Sequence, residues 1–302
     1  MNRKSKLFLS FLVSVIVLTF FLYTQFTKAG YFTPKIDLPN GLNSPIAFSI
    51  YYLDVGQGDS ILIRTADGHD MLIDGGPDGS VLERLGEVLP IWDRDLDWVV
   101  LTHPHEDHIV GLDEILKRYN VKQILEPDLK NVPDNERYFN SLGQEKAIPE
   151  EKAIKGERIV LNNDVVFSVI YPSNFQMEEE NLNDDSIIMQ LEYKGKKFLF
   201  TGDATAEVEV KILDQNIDSD FLKIGHHGSR YSSSQKFLEA VTPSVSIISV
   251  GVGNSFGHPT QDTLDRLSAV GSRVLRTDRN GTIEVDVGEN GDWQIECSKG
   301  CN

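Results

Sequence analysis

The 302 residues are 40% hydrophobic and 25% charged, the balance of a chain that buries a core, which excludes disorder, collagen and an all-membrane protein. There are 29 basic residues against 46 acidic ones, net −17; residues 1–29 hold four of the basic residues and no acid, so the remainder stands at 25 against 46, or −21. Such a body repels polyanions, so no stable nucleic-acid binding is expected, although brief engagement of a phosphodiester at one charged site stays open.

Arg3, Lys4 and Lys6 precede an uncharged run from Leu7 to Phe26. A basic start followed by an apolar run is an export signal, a membrane anchor, or both in turn. As a helix the run would measure about 30 Å, enough to cross the hydrocarbon core, and its length favours an anchor. Thr27-Lys28-Ala29 before Gly30 is a passable cleavage site and favours removal. Residues 1–29 are therefore read as a signal peptide or membrane anchor. The protein is expected to be extracytoplasmic, either held at the membrane through this segment or secreted. Residues 30–45, with Pro34, Pro39, Gly41 and Pro45, read as a linker.

Strands are expected at Ala47–Leu53, Ser60–Thr65 and His69–Ile73, with Asp67-Gly68 turning the hairpin between the last two. Val81–Val88 reads as helix, Leu96–Leu101 as a short buried strand, Ile109–Arg118 as an amphipathic helix and Val121–Leu125 as a strand. Residues 126–157 are charged and aperiodic, and are expected to form a surface excursion. Strands follow at Val165–Ile170, Ile187–Tyr193, Lys197–Phe200, Phe221–Ile224, Val245–Val250, Arg273–Arg276 and Thr282–Val287. Helices are expected at Ala206–Leu213, Ser234–Val241 and Gln261–Ala269. Strands first, then β and α in alternation, suggest two sheets packed face to face with helices outside. Residues 291–302 read as a C-terminal tail. Its cysteines, Cys297 and Cys301, would lie about 13 Å apart if extended, so pairing demands a turn that Ser298-Lys299-Gly300 could supply.

Chemistry concentrates in one place. His103, His105 and His108, with Glu106 and Asp107, fall within six positions of a chain that has seven histidines. His103 and His105, two apart in an extended segment that Pro104 keeps out of helix, project to one side. Asp107 and His108 follow at the turn into the next helix and reach a second point. That is the layout for two divalent cations about 3.5–4 Å apart.

With Leu53-Asp54-Val55-Gly56-Gln57-Gly58-Asp59-Ser60, Leu72-Ile73-Asp74-Gly75-Gly76, Phe200-Thr201-Gly202-Asp203-Ala204, Lys223-Ile224-Gly225-His226-His227-Gly228-Ser229 and Gly257-His258-Pro259, this cluster makes six motifs in order over residues 46–290. In them the chain resembles the metallo-β-lactamase-fold hydrolases, most of all the hydrolase domain of the ComEC competence proteins and their stand-alone exported relatives. The resemblance implies an α/β four-layer αββα sandwich with a site at one edge between the sheets. It implies His103 and His105 on one cation, Asp107 and His108 on another, Asp203 bridging both, and His226 or His227 as the remaining imidazole of the second. Asp74 resembles the carboxylate that orients the ligand loop, and Asp59 is read either as a support for a ligand histidine or water, or as a turn cap. His258 is a late ligand, a substrate contact or a cap for the helix after Pro259.

The sequence departs from the wider family in having no histidine between His108 and His226. Asn183, Asp184, Asp185 and Ser186 lie 17 to 20 positions before Asp203, where the subgroup carries an Asn-and-Ser motif. Asn183 or Asp185, or water, would make the first site harder and weaker, with more tolerance for Mn²⁺ beside Zn²⁺ and single-metal operation open. Arg230, and Lys223 before it, are cations that could clamp an anion. The expected function is metal-dependent hydrolysis, first of a small or polymeric phosphodiester by activated water. Hydrolysis of a lactone, β-lactam or thioester comes next, and a non-catalytic binding module with a decayed first site third. Asp107, Asp203, His258 and Arg230 are the residues expected to act on substrate.

Overall fold

The computed structural model describes residues 42–175, 177 and 181–301. The expected N-terminal signal or anchor and most of the linker lie outside the described residues, among which no helix is long and apolar enough to cross a membrane.

One sheet of eight strands runs in the order β15-β14-β1-β2-β3-β4-β5-β6, formed by Ile46–Tyr52 (β1), Ile61–Thr65 (β2), Asp70–Ile73 (β3), Asp95–Val100 (β4), Asn120–Glu126 (β5), Glu150–Lys152 (β6), Ile283–Gly288 (β14) and Trp293–Cys297 (β15). The other, of seven, runs β13-β12-β11-β10-β9-β8-β7, formed by Arg158–Val160 (β7), Val166–Tyr171 (β8), Ile188–Tyr193 (β9), Lys196–Phe200 (β10), Phe221–Lys223 (β11), Val245–Ile248 (β12) and Arg273–Arg276 (β13). In each sheet one half is parallel, β3 to β6 and β10 to β13, and the rest antiparallel.

Strand periodicity makes the layers. Ile61, Ile63, Met71, Ile73, Trp98 and Val100 point inward to meet Met189, Leu191, Phe198, Phe200, Phe221 and Ile247 of the opposite sheet. The alternate residues Leu62, Leu72 and Val99 face outward onto helices Ser80–Val88 (α1), Glu106–Arg118 (α2) and Asp134–Glu145 (α3). Ile188, Leu199, Leu222 and Ile248 do the same toward Ala206–Ile212 (α4), Gln235–Val241 (α5) and Gln261–Ala269 (α6). Both faces of these strands are buried, so they read as unbroken apolar runs. The result is the expected αββα sandwich. The parallel strands β3, β4, β10, β11 and β12 all deliver their carboxyl ends to one rim.

Two expectations are corrected. Residues 126–157 are not a surface excursion: they hold α3 and the edge strand β6, which pairs with β5 through Ile124 and Glu150. Phe139 is the helix's fully buried apolar anchor, too little to give a visible period. Residues 291–302 are not a tail, because β15 pairs with β14 from Val287 and Trp293 to Ile283 and Cys297, and Trp293 meets Phe221 of the second sheet edge to face at 5.0 Å. Cys297 and Cys301 are joined as a disulfide across the turn, in which Gly300 N–H donates to the Cys297 carbonyl at 2.9 Å. Thr277–Asn280 adds a short helix, α7, that the sequence did not announce.

α3 also carries Glu136, whose carboxylate is fully buried with neither oxygen hydrogen-bonded. Burial pushes it up to about 8; Glu126 and Asp185 add to the rise and Lys152 opposes it. A carboxyl raised in the folded state contributes stability that is whole below its unfolded value and lost as pH climbs through the folded one. Glu136→Gln should therefore melt increasingly above the parent protein between pH 4.5 and pH 8. A melting-temperature difference flat across that window would refute this.

Candidate metal centre

The rim is assembled from loops at strand ends. After β3, Asp74 adopts a left-handed backbone (φ 58°) that turns its carboxylate inward. Its Oδ1 accepts the Thr102 N–H at 2.8 Å, and its Oδ2 accepts the Thr102 hydroxyl at 2.7 Å and faces His108 Nδ1 at 2.8 Å. Asp74-Gly75-Gly76 is also the seat of α2. A Cβ on Gly111 would stand 1.8 Å from the Gly75 carbonyl oxygen, so only glycine lets the helix approach this closely. α2 begins at Glu106 rather than Ile109, which puts Asp107 and His108 in its first turn, where their carboxylate neighbours suit the helix dipole.

His103 is fully buried. Its Nδ1 lies 3.1 Å from the Thr102 hydroxyl, which leaves Nε2 to meet His105 Nδ1 at 3.1 Å. Burial, and then the charge on His108, hold the His103 pKa well below the ordinary histidine value, so it presents a neutral nitrogen lone pair. Burial holds the His105 pKa below the ordinary histidine value, and the side chain of Asn183, on the 3-10 turn Leu182–Asp185, works against that shift. Asp185 is buried in the same turn, and its charge acts on Glu136.

Asp203 follows β10 at Gly202, which itself has φ 50° and whose Cβ would crowd Thr102 and Ser186 at 3.1 Å. The Ser186 hydroxyl accepts the Asp203 N–H at 3.1 Å. Asp203 Oδ2 then stands 3.4 Å from His108 Nε2 and 3.3 Å from His227 Nε2.

The two adjacent histidines after β11 are separated by geometry. His226 and His227 both have left-handed backbones (φ 48° and 52°). His227 turns in: its Nε2 meets Asp107 Oδ2 at 3.1 Å, and its Nδ1 meets the Ser249 carbonyl at 2.9 Å and Asp59 Oδ1 at 3.4 Å. His226 stays half-buried at the rim, 5.7 Å ring to ring from His258, and both rings carry a buried Nδ1 without a hydrogen-bond partner. His258 does not cap α6, since Thr260 is the residue before that helix. Burial pushes His258 down to about 4, with His226, His227 and Arg230 adding to the shift and Asp203 opposing it.

Lys223 is not a substrate clamp. It is fully buried, 2.5 Å from Asp59 Oδ2, and donates to the Ile224 carbonyl at 3.0 Å. Asp59 is likewise no turn cap; it stands between Lys223 and His227. Arg230 is exposed and close enough for its charge to act on His258.

Asp107, His108, Asp203 and His227 offer ligand atoms all within 4.8 Å of one another. Burial opposes charge on His108 and His227, yet Asp203, chiefly, lifts both well above the ordinary histidine value. Burial likewise opposes charge on Asp203, and those two imidazoles hold it well below the carboxylate range. A field that draws protons onto two buried histidines is one that attracts cations, and the unpartnered His108 Nε2 and Asp203 Oδ1 point into the cluster as donors. The residues therefore fit a dinuclear divalent-metal site. Thr102 and the Ser249 carbonyl are supports that sequence reasoning missed, whereas Ser186 falls where the sequence placed the Asn-and-Ser motif. Thr102 adjoins a recognised motif, but a hydroxyl or a backbone oxygen carries no pattern of its own.

A sandwich of two sheets with imidazoles and carboxylates gathered at one rim defines a class of metal-dependent enzymes. Residues 53–252 match the family described as the Metallo-beta-lactamase superfamily, and the chain belongs to it. It is 32% identical over 252 residues to ComE operon protein 3 of Bacillus subtilis (strain 168), covering 77% of this chain and 32% of that protein. It is 31% identical over 247 residues to Competence protein ComA of Neisseria gonorrhoeae, covering 79% of this chain and 32% of that one. The likeness to ComEC-type proteins expected from the motifs is thus borne out, over about a third of the relatives' length. The fold also matches the crystal structure of CmlA, a diiron beta-hydroxylase from Streptomyces venezuelae, at a TM-score of 0.52 and 18% identity, over 77% of this chain and 53% of CmlA.

Proposed function

We propose that this chain is an exported phosphodiesterase holding two divalent cations, Zn²⁺ or Mn²⁺. His103, His105 and Asp203, with Asn183 beside them, would hold one, and Asp107, His108, Asp203 and His227 would hold the other. The observation that carries the reading is the convergence of those last four side chains within 4.8 Å, beside a rim that holds Arg230, His226 and His258. Two bound cations supply Lewis acidity toward water and phosphoryl oxygen alike.

The chain's own residues do the rest. Asp74 on His108, and Asp59 with the Ser249 carbonyl on His227, fix which ring nitrogen is turned inward. Asp107, with 30% of its side chain exposed, is the cluster carboxylate open to solvent and takes the proton of the attacking water. Arg230, with the rim imidazoles, donates to the non-bridging oxygens of the diester. The oxygen of Asn183 in place of a third imidazole makes the first site harder and favours Mn²⁺ there. A net charge of −21 outside residues 1–29 favours a small diester over a long polymer. The names of the competence relatives are a reason to include single-stranded DNA among the candidates.

Export rests on Arg3, Lys4 and Lys6 ahead of the uncharged stretch Leu7 to Phe26, and on the paired Cys297 and Cys301, which suit an oxidising compartment. The test of the activity uses the full chain in detergent, loaded with Mn²⁺ or Zn²⁺. Metal is counted by mass spectrometry, and hydrolysis of bis(4-nitrophenyl) phosphate and single-stranded DNA is followed. Two bound cations and cleavage of the aryl diester are expected; silence on both substrates with metal bound overturns the proposal.

A further inference from the structure

The loop after β12 is held in one shape by a single side chain. Asn254 Nδ2 donates to the Gly251 carbonyl at 3.1 Å and the His258 carbonyl at 2.7 Å, while its Oδ1 accepts the His258 N–H at 3.0 Å. Both feet of this arch are pinned. Gly251 N–H donates to Gln57 Oε1 at 3.2 Å, and a Cβ on Gly228 would stand 2.5 Å from Pro259 Cβ, so the far end packs directly on the His226-His227-Gly228 turn. On the crown sits Phe256, 66% exposed and outside all three apolar clusters of the fold. Its ring lies 22° from the plane of His258 at 5.9 Å, and His258 in turn faces His226. An exposed phenylalanine on a pinned arch, its ring nearly parallel to that of a rim imidazole, does not contribute to the core and presents a flat apolar face beside the site.

We propose that Phe256 and His258 form a stacking subsite for a nucleobase whose phosphate is held by Arg230 and His226. The substrate class is then a nucleotide-derived phosphodiester rather than a choline-type ester. This rests on the phosphodiesterase reading of the rim and narrows it. A quaternary ammonium would need aromatic faces without a cation beside them, and here the positive charge of Arg230 reaches His258. A base has no charge to repel, and its π-face stacks on phenylalanine whatever its identity. Stacking of one base on an aromatic ring is worth about 5- to 100-fold in affinity.

The test uses the full chain in detergent micelles with Mn²⁺. Binding of thymidine 5′-phosphate is compared with methyl phosphate, and hydrolysis of thymidine 5′-(4-nitrophenyl phosphate) with methyl 4-nitrophenyl phosphate. The parent protein should prefer the nucleoside member of each pair by at least about fivefold. Phe256→Ala should bring the ratio close to one, and Phe256→Trp should keep it. Trp92→Ala, at a still more exposed ring that precedes β4 at the opposite end of the sheet, should leave the ratio as in the parent. No nucleoside preference in the parent, or a preference that survives Phe256→Ala, overturns the subsite. If metal-loaded protein hydrolyses neither ester, the phosphodiesterase reading falls, and the binding ratio still decides the subsite by itself.

Discussion

Asp203→Asn is expected to lower hydrolysis of bis(4-nitrophenyl) phosphate by about 10³-fold or more, the upper range for loss of one electrostatic stabiliser. It is also expected to reduce the bound metal well below two equivalents. Asp203 Oδ2 stands 3.4 Å from His108 and 3.3 Å from His227 on the second-cation side, and its charge also acts on His103 and His105 of the first. It is 1% exposed, so no water compensates when its charge goes. The amide keeps shape and volume while removing the anion, which separates electrostatics from packing. Metal analysis and turnover on the same preparation give the reading. His226→Ala provides the contrast: its ring stands at the rim, so both cations should remain. An Asp203→Asn protein that keeps two cations and its rate would show that the bridging role is wrong.

Lys223→Met is expected to lower the melting temperature by on the order of 10 °C, from the ~3–5 kcal/mol lost when one partner of a buried pair is removed. Lys223 is completely buried and Asp59 is 1% exposed. Burial would raise the Asp59 pKa, but Lys223, followed by His227, keeps it below the usual carboxylate range. Removing the ammonium leaves a buried anion without its main counter-charge, close to the Asp74 carboxylate, with His227 and His108 as the cationic neighbours that remain. Lys223→Met with Asp59→Asn leaves no such anion, and most of the stability should return. Zinc affinity, read by competition with a chromogenic chelator, should not return with it. The Asp59 carboxylate faces His227 Nδ1, and loss of such a support weakens metal binding by about 10- to 100-fold. Equal melting temperatures for the single and double variants would deny the pair its role.

Much of this was legible in the sequence because the evidence was local. His103, His105, Asp107 and His108 lie on six consecutive positions, and the apolar runs of the buried strands stand out without their partners. Asp74 and Asp203 were legible through the motifs that carry the family resemblance. What was hidden depends on chain direction or distant contact. Nothing in His226-His227 says which ring turns inward; two left-handed residues in succession decide it. Lys223 looked like a surface cation because its counter-ion, Asp59, is 164 positions away in sequence. α3 was missed because Phe139 is its one fully buried large apolar residue, and β15 because it lies at the sheet edge with no fully buried apolar residue.

The rim lies on the seam between the two layers. His103, His105, Asp107 and His108 come from the eight-stranded sheet, Asp203 and His227 from the seven-stranded one. Any ion seated there is a rivet through both plates. Prising the plates apart and emptying the seat become a single event, so the reagent that starves the catalyst also loosens the fold.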